Sequence, residues 1–407
     1  MGGEIAVTGI GLVTPGGVGV GPTWRAVCDA GSTAARDPAL AGLPVDISCA
    51  VPGFDGDALL GRRLARRLDP VTQLGLVAAR EALAMAGLPA GDWDPARVGV
   101  LVGAGGSSLA GVTEAHRRLL ACRPETISPT ALPRSLPSAC ATEIAHDLGV
   151  TGPAFATVAG CASGLLAARV ALGLLRSGDL DVAVVGGAES LRHPLTVAGF
   201  AQLGTLSRHA GEPTAACRPF DADRAGLVVA EGAGVLVLER PGYARARRAP
   251  VLAWLTGCGA AGENHHPTTP HPDGEGAERA TRAALADAGW RPADIGHVNA
   301  HGAATVVNDA TEARWLARTL PHRPPVTATK GALGHAGAGS GAIEAAVTVL
   351  ALRERLIPPT ANLDRLDPDF DLDVVAKAPR PAPESPGALT VSSAFGGQNA
   401  ALLLRCA

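Results

Sequence analysis

One cysteine sits among small residues in the segment Ala159-Gly-Cys161-Ala-Ser-Gly164, between a strand-like run at 155–158 and a helical pattern beginning near Ala162. A thiol there meets the positive end of a helix dipole, which favours the thiolate. Its small neighbours leave backbone N–H groups accessible to an oxyanion. A cysteine in a turn is more often a small buried hydrophobe, so the assignment needs support from elsewhere in the chain. Asn299-Ala-His301-Gly-Ala-Ala-Thr305 puts a histidine straight after a buried strand, and Lys330-Gly-Ala-Leu-Gly-His335 puts a second on a Gly-rich loop before a helix near Ala342. One cysteine and two histidines at strand and loop ends fit covalent acyl chemistry.

The elements that must hold these residues are legible as period-free apolar runs, the pattern of strands buried on both faces. They fall at 5–9, 98–102, 182–186, 235–239, 251–256, 298–300, 389–392 and 401–404, with helical patterns at 71–86, 164–175, 278–288 and 342–353. Strands alternating with helices predict an α/β fold. Only 3% of the 407 residues are aromatic and 52 are Gly, so the core must be built from small aliphatics at close backbone approach. A duplication is also visible. An apolar run ends at Gly9-x-Gly11 and again at Gly257-x-Gly259. The helix-turn-strand Ala79-Arg-Glu-Ala-Leu-Ala-Met-Ala-Gly87 followed by Val98 returns about 200 residues on as Thr281-Arg-Ala-Ala-Leu-Ala-Asp-Ala-Gly289 followed by Ile295.

Composition excludes several classes. With 35 Lys+Arg against 38 Asp+Glu the net charge is −3, leaving no basic excess to hold a nucleic acid. No apolar run approaches the roughly 18 residues of a membrane span, and the first residues lack a secretory pattern, so a cytoplasmic protein is expected. Eight scattered cysteines with no C-x-x-C pair read as reduced thiols, not as disulfides or a metal site.

At these motifs the chain resembles the β-ketoacyl-acyl-carrier-protein synthases, condensing enzymes of the thiolase fold. The resemblance runs through Val7-Thr-Gly-Ile-Gly-Leu-Val-Thr-Pro15, the Cys161 turn, Gly178-Asp-Leu-Asp-Val-Ala-Val-Val-Gly-Gly-Ala-Glu-Ser190, Cys217-Arg-Pro-Phe-Asp221 and Glu231-Gly-Ala-Gly234. It continues through His301-Gly, Lys330 with His335, and Phe395-Gly-Gly-Gln-Asn399. It implies two duplicated halves in a five-layered α-β-α-β-α arrangement, residues 1–249 carrying the nucleophile and 250–407 carrying both histidines. It further implies that Cys161 takes an acyl group as a thioester. His301 and His335 would then stabilise the enolate formed when a malonyl thioester loses carbon dioxide. Backbone N–H groups of Cys161 and Phe395 would form the oxyanion hole, with Phe395 also gating the acyl pocket. Lys330 is expected to pair with Glu312 behind the histidine loops; Glu344, after the 337–341 glycine loop, reads as a cap or brace and not as a catalytic residue. Thr268, His266 and Thr305 are expected along the phosphopantetheine arm of an acyl carrier protein, and neither cofactor nor metal is implied.

The chain departs from the family pattern in places. Ala303 stands where a hydroxyl-bearing Thr is usual, which would slow decarboxylation. Ser393 replaces an aromatic residue and opens space near the nucleophile, and Ala394 replaces a glycine. Gly106 stands where a bulky aliphatic gate is usual. Gly160 and the Asn308-Asp309 pair look more like ketosynthases of type II polyketide pathways than like fatty-acid enzymes. The expected function is therefore an elongating ketosynthase of a bacterial polyketide or polyene pathway, as a homodimer or paired with a chain-length-factor-like subunit through an edge strand near 154–158. Alternatives are an acyltransferase that loads Cys161 but condenses weakly, a non-catalytic chain-length partner, or a thiolase. Retention of Cys161, His301 and His335 argues against the partner role, and two histidines in place of a second catalytic cysteine argue against a thiolase.

Overall fold

A computed structural model describes residues 3–105, 109–383 and 387–407. Ten strands make the frame. The first five are β1 (Ile5–Thr14), β2 (Val98–Gly103), β3 (Ala154–Thr157), β4 (Val182–Ser190) and β5 (Val229–Glu239). The second five are β6 (Ala253–Gly262), β7 (Ile295–Asn299), β8 (Pro325–Thr327), β9 (Gly387–Ala394) and β10 (Gln398–Cys406). Their spatial order is β1-β5-β4-β2-β3 in the first set and β6-β10-β9-β7-β8 in the second. Counted within each set, both orders are 1-5-4-2-3. The senses match as well: the 1-5 and 5-4 pairs are antiparallel, and the 4-2 and 2-3 pairs are parallel. Antiparallel pairing of β1 with β6 at Ile5–Leu255 and Val7–Ala253 joins the two sets edge to edge.

The helices complete five layers. Helices α1 (Pro70–Ala86) and α2 (Ala139–Leu148) cover the outer face of the first set. Helices α3 (Ser163–Ser177) and, near the chain's end, α7 (Ser340–Glu354) lie between the two sets, while α4 (Glu275–Ala288) and α5 (Val306–Thr319) cover the second set's outer face. The short α6 (Lys330–Leu333) precedes α7. Three hydrophobic cores follow from this layering, one under each outer helix pair and a larger one around α3 and α7. The strands feed two cores at once: Val182 and Val184 point to the outer core, Ala183 and Val185 to the central one. That is why the apolar runs carry no period. α7 is buried on all sides from Ser340 to Leu352, as a central helix must be.

The repeated Gly-x-Gly pairs have a steric cause. A Cβ at Gly9 would lie 2.0 Å from the Ala82 carbonyl oxygen of α1, and one at Gly259 would lie 1.9 Å from the Ala280 carbonyl oxygen of α4. Each half therefore lays an alanine-rich helix directly on the backbone of its first strand. The eight strand-like runs and four helical patterns of the sequence all fall on these elements, whereas α2, α5 and β8 were not anticipated, and α6 stands where the sequence reading has a Gly-rich loop.

Candidate active site

The turn that carries Cys161 connects β3 to α3. Gly160 takes a left-handed φ of +53°, reversing the chain, and Ser163 clamps the reversal: its Oγ accepts from the Ala159 N–H (2.8 Å) and donates to the Gly160 carbonyl (2.6 Å). The clamp points Cys161 into a cavity of about 300 Å³. His335 reaches the same cavity because its backbone is stitched to β5 of the other half, donating to Val228 O (2.8 Å) and accepting from Ala230 N (2.9 Å). The Cys161 Sγ and His335 Nε2 atoms are 3.0 Å apart. The His301 ring stands edge-on to that of His335, centroids 5.4 Å apart at 82°.

Burial sets the electrostatics. It pushes the Cys161 thiol up to about 11, with the nearby Lys330 charge pulling in the opposite direction. Enclosure thus opposes the lowering expected from the helix terminus. Burial holds both histidines well below their ordinary value, and the Lys330 charge adds to this, so each ring is neutral.

Lys330 is almost wholly buried and forms its ion pair with Glu344 of α7. Its ammonium also donates to the His301 carbonyl (2.5 Å) and faces His301 Nδ1 at 3.4 Å. An ammonium can only donate, so Nδ1 offers its lone pair and the His301 proton sits on Nε2. The expected Lys330–Glu312 pair is therefore corrected. Glu312 instead accepts from the backbone N–H groups of His301 and Gly302, both at 2.7 Å, which is possible because its helix α5 runs beside that turn. Burial raises Glu312 to about 7 and Asp309 to about 6; Asp309 accepts from Phe220 N (2.8 Å) and Ala304 N (3.1 Å), pinning Ala304 at a left-handed φ of +63°.

The remaining predicted residues gather at the cavity wall and mouth. Phe395, Ser393, Thr305, Thr268 and His266 all line it, as does Ala303. Thr305 caps α5, its Oγ1 accepting from Asn308 N (3.1 Å), and His266 Nδ1 accepts from the N–H groups of Thr268 and Thr269. The Ser393 hydroxyl donates to Asn399 Oδ1 (2.7 Å). Gly106 lies outside the described residues. Sequence reasoning overlooked Phe200, whose ring meets Phe395 edge to face at 5.8 Å, and Ser163. With six Phe in the chain, the scarcity of large rings was the available signal.

Comparison with known proteins agrees with this arrangement. Residues 3–243 match the profile of the β-ketoacyl synthase N-terminal domain and residues 252–364 that of its C-terminal domain. The chain is 38% identical to a 3-oxoacyl-[acyl-carrier-protein] synthase 2 of Rhizobium meliloti over 99% of this chain and 98% of the relative. It is 34% identical to the enzyme of the same name from Vibrio cholerae, over 99% of both. Among solved structures, the ishigamide ketosynthase/chain length factor superposes with a TM-score of 0.92 at 31% identity over the full length of both chains. A type II polyketide ketosynthase solved with its acyl carrier protein and bound to the hexaketide superposes with a TM-score of 0.90 at 28% identity, again over both full lengths. A thiolase fold with a cysteine and two histidines meeting in one cavity, matched along its length to these relatives, belongs to the β-ketoacyl synthase family of acyltransferase-class condensing enzymes.

Proposed function

We propose that the chain elongates an acyl group by decarboxylative Claisen condensation, Cys161 being the nucleophile. The Cys161 thiol gives up its proton, the resulting thiolate attacks the carbonyl of an incoming acyl thioester, and the expelled donor thiolate takes up a proton and leaves as the donor thiol. A malonyl thioester on an acyl carrier protein then enters with its carbonyl oxygen between His301 and His335. As its carbon–carboxylate bond breaks, carbon dioxide departs and the electron pair becomes an enolate whose oxygen accepts from the imidazole N–H groups. The enolate carbon attacks the Cys161 thioester. The backbone N–H groups of Cys161 and Phe395 hold the resulting oxyanion, and collapse returns the Cys161 thiolate and a β-ketoacyl carrier. The observation that carries this reading is the 3.0 Å approach of Cys161 Sγ to His335 Nε2 on the cavity wall that His301 shares.

Lys330 with Glu344 holds His301, while Glu312 orders the turn that presents it. Thr305 spends its lone pair on Asn308 N and keeps its hydroxyl proton for a pantetheine arm passing Thr268 and His266. The halves divide at 249/250. The protein works as a dimer joined along β3, with a second copy or a related subunit.

We further propose polyketide or polyene elongation as its setting. Gly160, the Asn308-Asp309 pair and the likeness to type II polyketide ketosynthases support this, whereas the names of the curated relatives point to fatty-acid elongation. Incubation with acyl carriers and malonyl carrier, followed by mass spectrometry of products and protein, tests both levels. A Cys161 adduct and released carbon dioxide are expected, and an adduct on another cysteine overturns the mechanism. Successive β-keto extension supports the polyketide setting; strict single extension of saturated chains overturns it.

A further inference from the structure

We infer that Ser340 is a positioning residue that fixes the proton of the His335 ring on Nε2, the atom facing Cys161. Ser340 opens α7 and is buried. Its Oγ lies 2.9 Å from the Ala336 backbone nitrogen and 2.9 Å from His335 Nδ1. The amide can only donate, so it occupies one lone pair of Oγ. The hydroxyl has a single proton to give, and among the described residues its only other hydrogen-bond neighbour is Nδ1. Donation there requires Nδ1 to carry the lone pair, and a neutral imidazole then holds its proton on Nε2. The opposite tautomer would leave the serine proton without an acceptor in a buried site, a position that polar groups avoid. The doubly protonated ring is disfavoured by burial and by the Lys330 charge. From 336 to 342 the chain reads Ala-Gly-Ala-Gly-Ser-Gly-Ala, so Ser340 carries the only polar side chain of that stretch.

The consequence is directional. With Nε2–H aimed at Cys161 Sγ, His335 arrives as a donor and cannot accept the thiol proton at that atom. The Cys161 thiol proton must therefore leave by a route other than His335 Nε2, while the ring N–H is ready for a developing oxyanion. Lys330 imposes the same tautomer on His301, so both rings present a donor to the cavity.

The tautomer stands independently of the proposed reaction; only its catalytic consequence rests on that reading. Nitrogen-15 NMR of histidine-labelled protein, with His335→Ala to assign the resonances, should find His335 Nδ1 unprotonated and Nε2 protonated. In Ser340→Ala the two nitrogens should move toward averaged shifts as both tautomers populate. Malonyl-carrier decarboxylation should fall about tenfold, the scale seen when partners that orient a functional histidine are removed, while acylation of Cys161 stays unchanged. Ser340→Thr, which keeps the hydroxyl, should restore both. A wild-type spectrum with the proton on Nδ1 overturns the inference, and so does a Ser340→Ala spectrum identical to wild type. If Ser340→Ala does not fold, the wild-type spectrum alone decides. Loss of condensation in every variant including wild type, with the expected spectrum, would refute the reaction and leave the role of Ser340 intact.

Discussion

Lys330 spends its three protons on Glu344, the His301 carbonyl and His301 Nδ1, all in a buried pocket. Removing the acid alone strands that ammonium, so Glu344→Ala should cost about 3–5 kcal/mol in urea unfolding, with Glu344→Gln milder because it retains an acceptor. Loading and condensation should separate at the histidines. His301→Ala and His335→Ala are expected to acquire an acyl group on Cys161 yet release carbon dioxide about 10²–10³-fold more slowly, as when one oxyanion donor is lost; equal loss of both steps would refute the assignment. Ala303, on the cavity wall, offers the reverse test. If its missing hydroxyl limits decarboxylation, Ala303→Thr raises that rate and leaves loading alone, whereas a wild type that already condenses at an ordinary ketosynthase rate, with Ala303→Thr neutral, removes the acyltransferase alternative. Glu312 gives a pH prediction. Its carboxyl titrates near 7 in the folded chain against an ordinary 4.5. Between those values the folded state holds a proton that the unfolded chain has released, so this group's contribution to stability falls as pH rises. His297, pushed down to about 3 by burial, works in the opposite sense up to its ordinary 6.5. The whole protein's pH curve is thus flattened by opposing groups, and only a difference measurement exposes either. The stability of Glu312→Gln relative to wild type should climb from pH 5 to pH 7, at no more than about 1.4 kcal/mol per pH unit.

Two helix-on-strand contacts repeat at the scale of the element. Gly9→Ala and Gly259→Ala both drive a methyl into a helix carbonyl, and each should destabilise by about 1–3 kcal/mol or more. Gly31→Ala, where a Cβ meets nothing within 4 Å, should be close to neutral in the same denaturant titrations. These glycines were readable in the sequence because the same spacing occurs twice. The strands and the central helices were readable because burial on both sides writes itself as unbroken apolar runs. Helix α5 was not. Its exposed Val306 and Val307 and its buried Asp309 and Glu312 invert the usual pattern, since its acids face inward to hold backbone N–H groups. β8 is three residues long and begins with Pro325, too little for any period to register. The partner of Lys330 was misread for a related reason. Glu312 and Glu344 are both buried acids near the histidine turn, and the choice between them depends on which helix passes beneath, a fact of packing that no local spacing records.

At the scale of the whole molecule, β3 is an open edge. The carbonyls of Pro153, just before it, and of Thr157 accept from Val100 of β2 and from Ala104 just after β2, so by strand alternation Ala154, Ala156 and Val158 turn their backbone groups outward, and Val158 is 61% exposed. Ala156→Pro removes an outward N–H without touching the β2 ladder. Light scattering should find wild type dimeric, alone or with a related subunit, and the variant monomeric with unchanged circular dichroism; a wild type monomeric under both conditions would refute the interface. The shared 1-5-4-2-3 strand order has a different consequence. In each half the chain leaves the third strand toward a central helix, and those two exits carry Cys161 in one half and His335 in the other. An assembly of two identical copies would have to place the same residue at both exits. Joining the copies in one polypeptide frees them from that symmetry, so that in the reaction we propose one exit carries the electrophile and its counterpart a hydrogen-bond donor, on a nearly symmetric frame.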